Sequence, residues 1–352
     1  MSTGPRHPGD LQRDILAALA DRDGRAATVA ELHTDVGATS AGAVLQSLKR
    51  LRQAGRVETV AGRRPIRWRL TGAPPSAPAV AAPILRPNGR LYHPRALADG
   101  SDVDVLARMR SHGVPVLLYG PPGTGKTALV EAAFPDLVTI AGDGDTAVAD
   151  FTGEYTQEPD GTYRFVHGPL VTAMREGRVL FIDDATLIAP SVLAVLYPAM
   201  DGRGEITVKA HTGETIKAAD GFYVIAGHNP GVAGAILTEA LSSRFAVHIE
   251  VTSDWDLAER LGVPQQAITV AMNLAANAAS GAIGWSPQLR ELLAVKKVTE
   301  TLGLDAALAN LVAVAPAIDR PLVAEVVSRV TGRTIRPLAL GPQLPAAPPP
   351  VR

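Results

Sequence analysis

The sequence predicts an α/β fold built on parallel strands, with a small basic domain in front of it. Three observations predict it. Gly120-Pro121-Pro122-Gly123-Thr124-Gly125-Lys126-Thr127 fits the pattern G-x-x-x-x-G-K-[ST] at every specified position. It is preceded by the apolar run Val116-Leu117-Leu118-Tyr119 and followed by the helix-forming run Ala128 to Ala133. Further on, Arg178-Val179-Leu180-Phe181-Ile182-Asp183-Asp184 reads as a buried strand ending in two acids.

A strand, a glycine loop and a helix in succession give that pattern a mechanism. Glycines let backbone N–H groups turn inward around phosphate oxygens, and the helix N-terminus adds partial positive charge. Lys126 is expected to reach the β- and γ-phosphates of a nucleotide, and the Thr127 hydroxyl to bind Mg²⁺. Lys126 is read here as a surface lysine whose loss the fold tolerates. Asp183 is expected to hold Mg²⁺ through water, and Asp184 to stand where a base polarises the attacking water.

The chain has 352 residues, a prior for two or three domains, and a hydrophobic fraction of 46% that can build sizeable cores. Its net charge of −1 gives no global attraction to nucleic acid or membrane. It has no cysteine, which excludes disulfides and thiolate metal sites and fits a reducing compartment. Met1 to Asp10 is polar, with no apolar signal-peptide core, and no apolar run approaches the roughly 18 residues that span a bilayer. A cytoplasmic location without membrane attachment is expected. The charge is unevenly placed: residues 1–71 hold 12 Lys/Arg against 7 Asp/Glu, while the remainder holds 22 against 28. A basic head on an acidic body suggests two jobs.

In the head, Leu11, Ile15, Leu16 and Leu19 make a helical stripe. Val29 to His33 reads as a short second helix. A third runs from about Ala41 to Ala54, with Thr39 or Ser40 as N-cap, Val44, Leu48 and Leu51 on one face, and Gly55 as its stop. Arg56–Val60 and Ile66–Leu70 read as a hairpin around Ala61 to Pro65. Three helices and a hairpin over residues 1–71 resemble the winged helix-turn-helix domain. The resemblance implies DNA or protein docking. In the DNA case Gln46, Lys49 and Arg50 face the major groove and Arg63, Arg64, Arg67 and Arg69 meet phosphates. Residues 72–87 contain five prolines and read as a linker, and the tail 333–352 is also proline-rich.

In the body, Leu137–Ile140, Phe222–Ala226 and Ala246–Val251 read as further strands, five in all with Val116–Tyr119 and Val179–Ile182. Glu154 to Phe165 alternates around Pro159-Asp160-Gly161, and Glu205–Val208 and Glu214–Ile216 flank His211-Thr212-Gly213; both read as hairpins. Tyr155, Tyr163 and Phe165 suit either a grip on a partner or the hairpin's own small core. Asn229, in Gly227-His228-Asn229-Pro230 at a strand end, can orient water near a γ-phosphate. Residues 256–332 show helical patterning.

Residues 88–332 together resemble the AAA+ ATPases, in particular the MoxR-like, dynein-related branch that includes CbbQ, NirQ and GvpN. Beyond the phosphate loop, the resemblance is carried by Phe165 to Ala173, by the turn Ala226 to Pro230, by Ser243-Arg244-Phe245 and by Ser286 to Leu292. It implies a five-stranded parallel sheet with helices on both faces over residues 88–252, and a helical lid over 253–332. It implies a ring, usually a hexamer, with ATP and Mg²⁺ at subunit interfaces. Asn229 is then the sensor of the Ala226–Pro230 turn. Arg244 is the arginine finger acting on the neighbour's γ-phosphate, and Arg290 is the sensor of the lid helix. The implied work is remodelling of a partner protein, with a von Willebrand A-type protein as the partner class. The alternative is a DNA-directed ATPase or an ATP-controlled regulator that uses the head. Two positions depart from the family pattern. Asp184 stands where Glu is usual, one methylene shorter, and Gly227-His228 replaces the more frequent Thr-Met. Slower hydrolysis is expected, with nucleotide binding intact.

Overall fold

The computed structural model describes residues 8–22, 26–60, 66–71, 82–98 and 100–338. The chain divides into two compact units, Met1–Val80 and Ala81–Arg352.

The first unit has three helices, Pro8–Ala20, Val29–Asp35 and Ala41–Gln53, and a three-stranded antiparallel sheet. Arg67–Leu70 is its middle strand, between Val57–Val60 and Ala27–Thr28. Ile15, Leu19, Leu32, Val44, Leu48, Leu51 and Trp68 form the core. Ser40 is the N-cap of the third helix and accepts from Ala43 N. Thr28 and Glu31 make a reciprocal capping box at the second. Strand Ala27–Thr28 is absent from the sequence reading, because two residues carry no periodicity.

The expected groove-facing residues Gln46, Lys49 and Arg50 are exposed. Two of the four hairpin arginines are engaged inside the unit. Arg69 pairs with Glu58 at 2.6 Å, and Arg67 Nη1 donates to Ala26 O at 3.5 Å. Arg63 and Arg64 lie outside the described residues, as do Ala61 to Pro65, residues 72–81 and 339–352.

The second unit is built on a five-stranded sheet in the order Val247–Glu250, Val116–Tyr119, Tyr223–His228, Val179–Asp183, Val138–Ala141, every neighbouring pair parallel. Its three inner strands are buried on both faces, which is why they read as apolar runs, while the edge strands Val247–Glu250 and Val138–Ala141 are partly exposed. Alternate residues divide between two cores. Leu117, Ile140, Leu180, Ile182, Val224 and Ala226 belong to one, with Leu170 and Met174 of helix Pro169–Glu176. Val116, Leu118, Phe181, Tyr223 and Ile225 belong to the other, with Leu129 and Val130 of helix Lys126–Ala133. The strand ends carrying Tyr119, Asp183 and His228 thus come side by side, and loops leaving them share one edge.

Two antiparallel hairpins leave this core, Gly153–Gln157 with Tyr163–His167 and Glu205–Val208 with Glu214–Lys217. Five helices, Trp255–Arg260, Gln265–Ala279, Leu289–Leu302, Leu304–Val314 and Arg320–Thr331, enclose a core of their own around Leu274, Leu292, Leu308 and Val327.

Two expected boundaries move. Residues 72–87 do not all serve as linker, since Ile84–Leu85 pairs with Leu91–Tyr92 and Arg86 holds Glu131 at 2.7 Å. The tail does not begin at 333, since Ile335 is buried among the helices and Arg333 pairs with Asp305 at 2.8 Å. Among the described residues, no helix is long and apolar enough to cross a membrane.

Candidate active site

Gly120, Pro121, Pro122, Gly123, Thr124 and Gly125 connect strand Val116–Tyr119 to helix Lys126–Ala133. Pro121 and Pro122 are exposed, and Thr124 is buried with its hydroxyl bonded to Pro121 O at 3.0 Å. Gly123 has φ +86°, and a Cβ there would stand 2.9 Å from Arg290 Cβ. Only glycine gives both that backbone conformation and that close approach.

Lys126 is 6% exposed. Its Nζ donates to Gly120 O at 2.8 Å, to Pro121 O at 3.0 Å and to Asn229 Oδ1 at 2.6 Å. The expectation of a surface lysine is therefore wrong: the stem crosses under the loop and is buried by it. Burial pushes the ammonium pKa down to about 8, against the pull of Asp183 and Asp184.

Thr127 Oγ1 donates to Asp183 Oδ2 at 2.7 Å. The two side chains expected to share Mg²⁺ thus meet where helix Lys126–Ala133 begins and strand Val179–Asp183 ends. Both are hard oxygen donors of the kind Mg²⁺ takes. Asp184 follows in a left-handed conformation, φ 50° and ψ 38°. Its carboxylate accepts from Asn229 Nδ2. Burial and then Asp183 hold its pKa above the ordinary carboxylate value. Asn229 therefore bridges Lys126 and Asp184, with its oxygen on the first and its nitrogen on the second.

Gly227, the departure noted beside it, lets strand Tyr223–His228 pass close to the acids: a Cβ there would lie 3.1 Å from Asp183 Oδ1. His228 is buried and bonds Thr186 Oγ1 at 2.7 Å through Nδ1, and burial lowers its pKa.

Arg290 is exposed at the start of helix Leu289–Leu302, and its backbone N–H donates to Gly123 O at 3.1 Å. Helix Leu289–Leu302 is thereby tied to the loop. Arg244 is not brought to this loop. Its Nη1 donates to Ala240 O at 2.6 Å and its guanidinium lies 3.7 Å over the Tyr197 ring. Arg244 is thus held within its own unit by Ala240 and Tyr197.

One group at the loop escaped the sequence reading. Arg95 Nη1 donates to Thr124 O at 3.3 Å and to Thr252 O at 3.2 Å, while Nη2 reaches Tyr92 OH at 3.3 Å and Nε reaches Asp102 at 3.4 Å. Asp102 also accepts from Tyr92 OH and from Arg95 N. Buried Tyr92 and Asp102, with partly buried Arg95, thus fasten the loop to the backbone just past strand Val247–Glu250. Basic-acidic spacing around Tyr92 was the only signal, and it matches no motif.

Residues 115–245 match the family model described as AAA domain (dynein-related subfamily). Protein NorQ of Paracoccus denitrificans is 35% identical over 45% of this chain and 59% of its own length. The denitrification regulatory protein NirQ of Pseudomonas aeruginosa is 34% identical over 38% of this chain and 52% of its own. An uncharacterized protein of Staphylococcus epidermidis is 39% identical over 39% and 54%. The matches span between half and three-fifths of these relatives' lengths.

Proposed function

From the premise that its core is a P-loop AAA+ domain of the dynein-related, MoxR-like type, we propose that this chain hydrolyses ATP at the loop Gly120–Thr127. The observation that carries this reading is the convergence of Lys126 and Thr127, at a helix start, with Asp183, Asp184 and Asn229 at the ends of adjacent strands.

Lys126 leaves two loop carbonyls and the Asn229 amide oxygen to meet phosphate oxygens, exchanging three neutral acceptors for a charged one. Thr127 and Asp183 would hold Mg²⁺, which would supply neutralisation of phosphate charge. Asn229 orients the attacking water, and Asp184 accepts its proton. The raised Asp184 pKa suits that task, since a base closer to neutrality takes a proton more readily. Arg290, fixed to the loop through Gly123, reports nucleotide to the lid. Arg244 serves a neighbouring subunit's nucleotide in a ring, where an arginine supplied in trans stabilises transition-state charge. A ring, hexameric as in the family, is the proposed assembly. The cytoplasm is the proposed compartment and remodelling of a partner protein, of von Willebrand A type, the proposed work.

Phosphate release measured beside ATP affinity tests this reading. Lys126→Ala should abolish both, with the far-ultraviolet circular dichroism spectrum retained. Equal ATP affinity in that variant overturns it.

A second reading is favoured by the exposed Gln46, Lys49 and Arg50 on a helix beside an antiparallel hairpin. In it the first unit is a winged helix that directs the ATPase to DNA. Duplex retention by the full chain should then fall with salt, and Lys49→Ala with Arg50→Ala should flatten that slope by about two. No retention at low salt assigns the unit to protein docking.

A further inference from the structure

Away from the phosphate loop, His167, His211 and Glu214 bring two imidazole nitrogens and one carboxylate oxygen to within 4.8 Å of one another. We propose that these three residues bind a divalent transition metal, Zn²⁺ first among them, that staples the two hairpins together. His167 ends one hairpin. His211 and Glu214 stand at the turn and the first strand position of the other.

The geometry supports a common centre. Glu214 Oε2 lies 3.0 Å from His211 Nδ1 and 3.5 Å from His167 Nε2. Ligands placed ~2.0–2.2 Å from a tetrahedral Zn²⁺ stand roughly 3.3–3.5 Å apart. Two of the three edges thus need adjustments of only a few tenths of an ångström.

The surroundings orient each ligand. Phe165 stacks on the His211 ring, centroids 4.5 Å apart and planes 14° apart, and meets the His167 ring edge-on at 5.3 Å. Arg175 bonds the other Glu214 oxygen, Oε1, and leaves Oε2 directed at the imidazoles. Such outer contacts fix ligand orientation in metal sites.

The donor set chooses the metal. Arg175 offsets much of the Glu214 charge, so attraction to a hard cation is weak. Affinity must come from the two imidazoles, which suit Zn²⁺, Co²⁺, Ni²⁺ and Cu²⁺ and not Mg²⁺ or Ca²⁺. Three protein ligands leave a fourth position for water or a donor from a partner. All three side chains are about one-quarter to one-third exposed, so an ion has a path in.

The same contacts could be plain hydrogen bonds to one carboxylate oxygen. Metal binding separates the two accounts, and it does so without reference to nucleotide. The untagged full chain is stripped with a chelator and titrated with Zn²⁺ against a chromogenic indicator. Cobalt(II) is added in parallel and its visible d–d bands recorded. One Zn²⁺ per chain is expected, with tetrahedral-type cobalt absorption. His211→Ala and Glu214→Gln should each weaken binding at least tenfold and remove that absorption. His248→Ala, on an exposed strand position elsewhere, should change neither. Zn²⁺ should also raise the melting temperature of the wild type and not of His211→Ala. Stoichiometric binding unchanged in His211→Ala, or no Zn²⁺ retained by the wild type, overturns the site.

Discussion

Lys126 Nζ donates to Asn229 Oδ1 at 2.6 Å, joining residues 103 positions apart. Held there, and by Gly120 O and Pro121 O, the ammonium is buried, and its pKa falls to about 8. Phosphate binding needs the charged form. Affinity for ATP should therefore be level below about pH 7 and fall as pH rises through 8, reaching roughly tenfold weaker at pH 9. Equilibrium titration with a fluorescent ATP analogue over pH 6.5–9 reads this. Lys126→Arg should flatten the profile, because guanidinium keeps its proton throughout.

The same shift acts on stability with a definite sign. Lys126 binds its proton less well folded than unfolded, so the folded state carries a penalty that is complete below about pH 8. The penalty is relieved as pH rises from 8 towards the ordinary lysine value. Nucleotide-free protein should gain stability from this group across that window, relative to Lys126→Met. Urea midpoints at pH 7.5 and 9.5 for the two proteins give the comparison.

Asn229 holds both the lysine and the acid, so its loss should separate binding from turnover. In Asn229→Ala, phosphate release should drop on the order of 10²-fold, the scale at which misplaced reacting groups act. ATP affinity should stay within a few-fold of wild type. A loss of both in equal measure would make Asn229 a binding residue instead.

Arg95 is predicted to fasten the loop. Arg95→Ala leaves the buried Asp102 carboxylate without its cation, and unfolding free energy should fall by about 3 kcal/mol in urea titration. Nucleotide affinity should also fall, since Thr124 O loses its tether. Unchanged stability would mean that water replaces the guanidinium at little cost.

Much of the second unit was legible because its inner strands are short, apolar and buried on both faces. Val116–Tyr119 and Val179–Asp183 announce themselves by composition, and the phosphate loop by spacing. The first turn of helix Lys126–Ala133 then meets the end of strand Val179–Asp183, which brings Thr127 to Asp183. Other features were hidden for physical reasons. The burial of Lys126 depends on the path of the loop above it. Arg95, Tyr92 and Asp102 act through a carbonyl of Thr124 and another of Thr252, and backbone acceptors leave no mark in a sequence. His167 and Glu214 are 47 residues apart and meet only because two hairpins pack together. Arg244 carried a family expectation, and its contacts with Tyr197 and Ala240 could be seen only in three dimensions.

Asp184, held by Asn229 beside the Thr127–Asp183 pair, is the proposed base for ATP hydrolysis. Its raised pKa means that activity should fall on acidification earlier than an ordinary carboxylate would require. Asp184→Glu should keep or raise turnover where the pocket admits one more methylene. Steady-state phosphate release by Asp184→Asn, measured beside its ATP affinity, is the most direct test. The amide cannot accept a proton, so the account predicts wild-type affinity with turnover reduced on the order of 10²-fold or more. Turnover equal to wild type in Asp184→Asn would contradict it and move the catalytic role to another group.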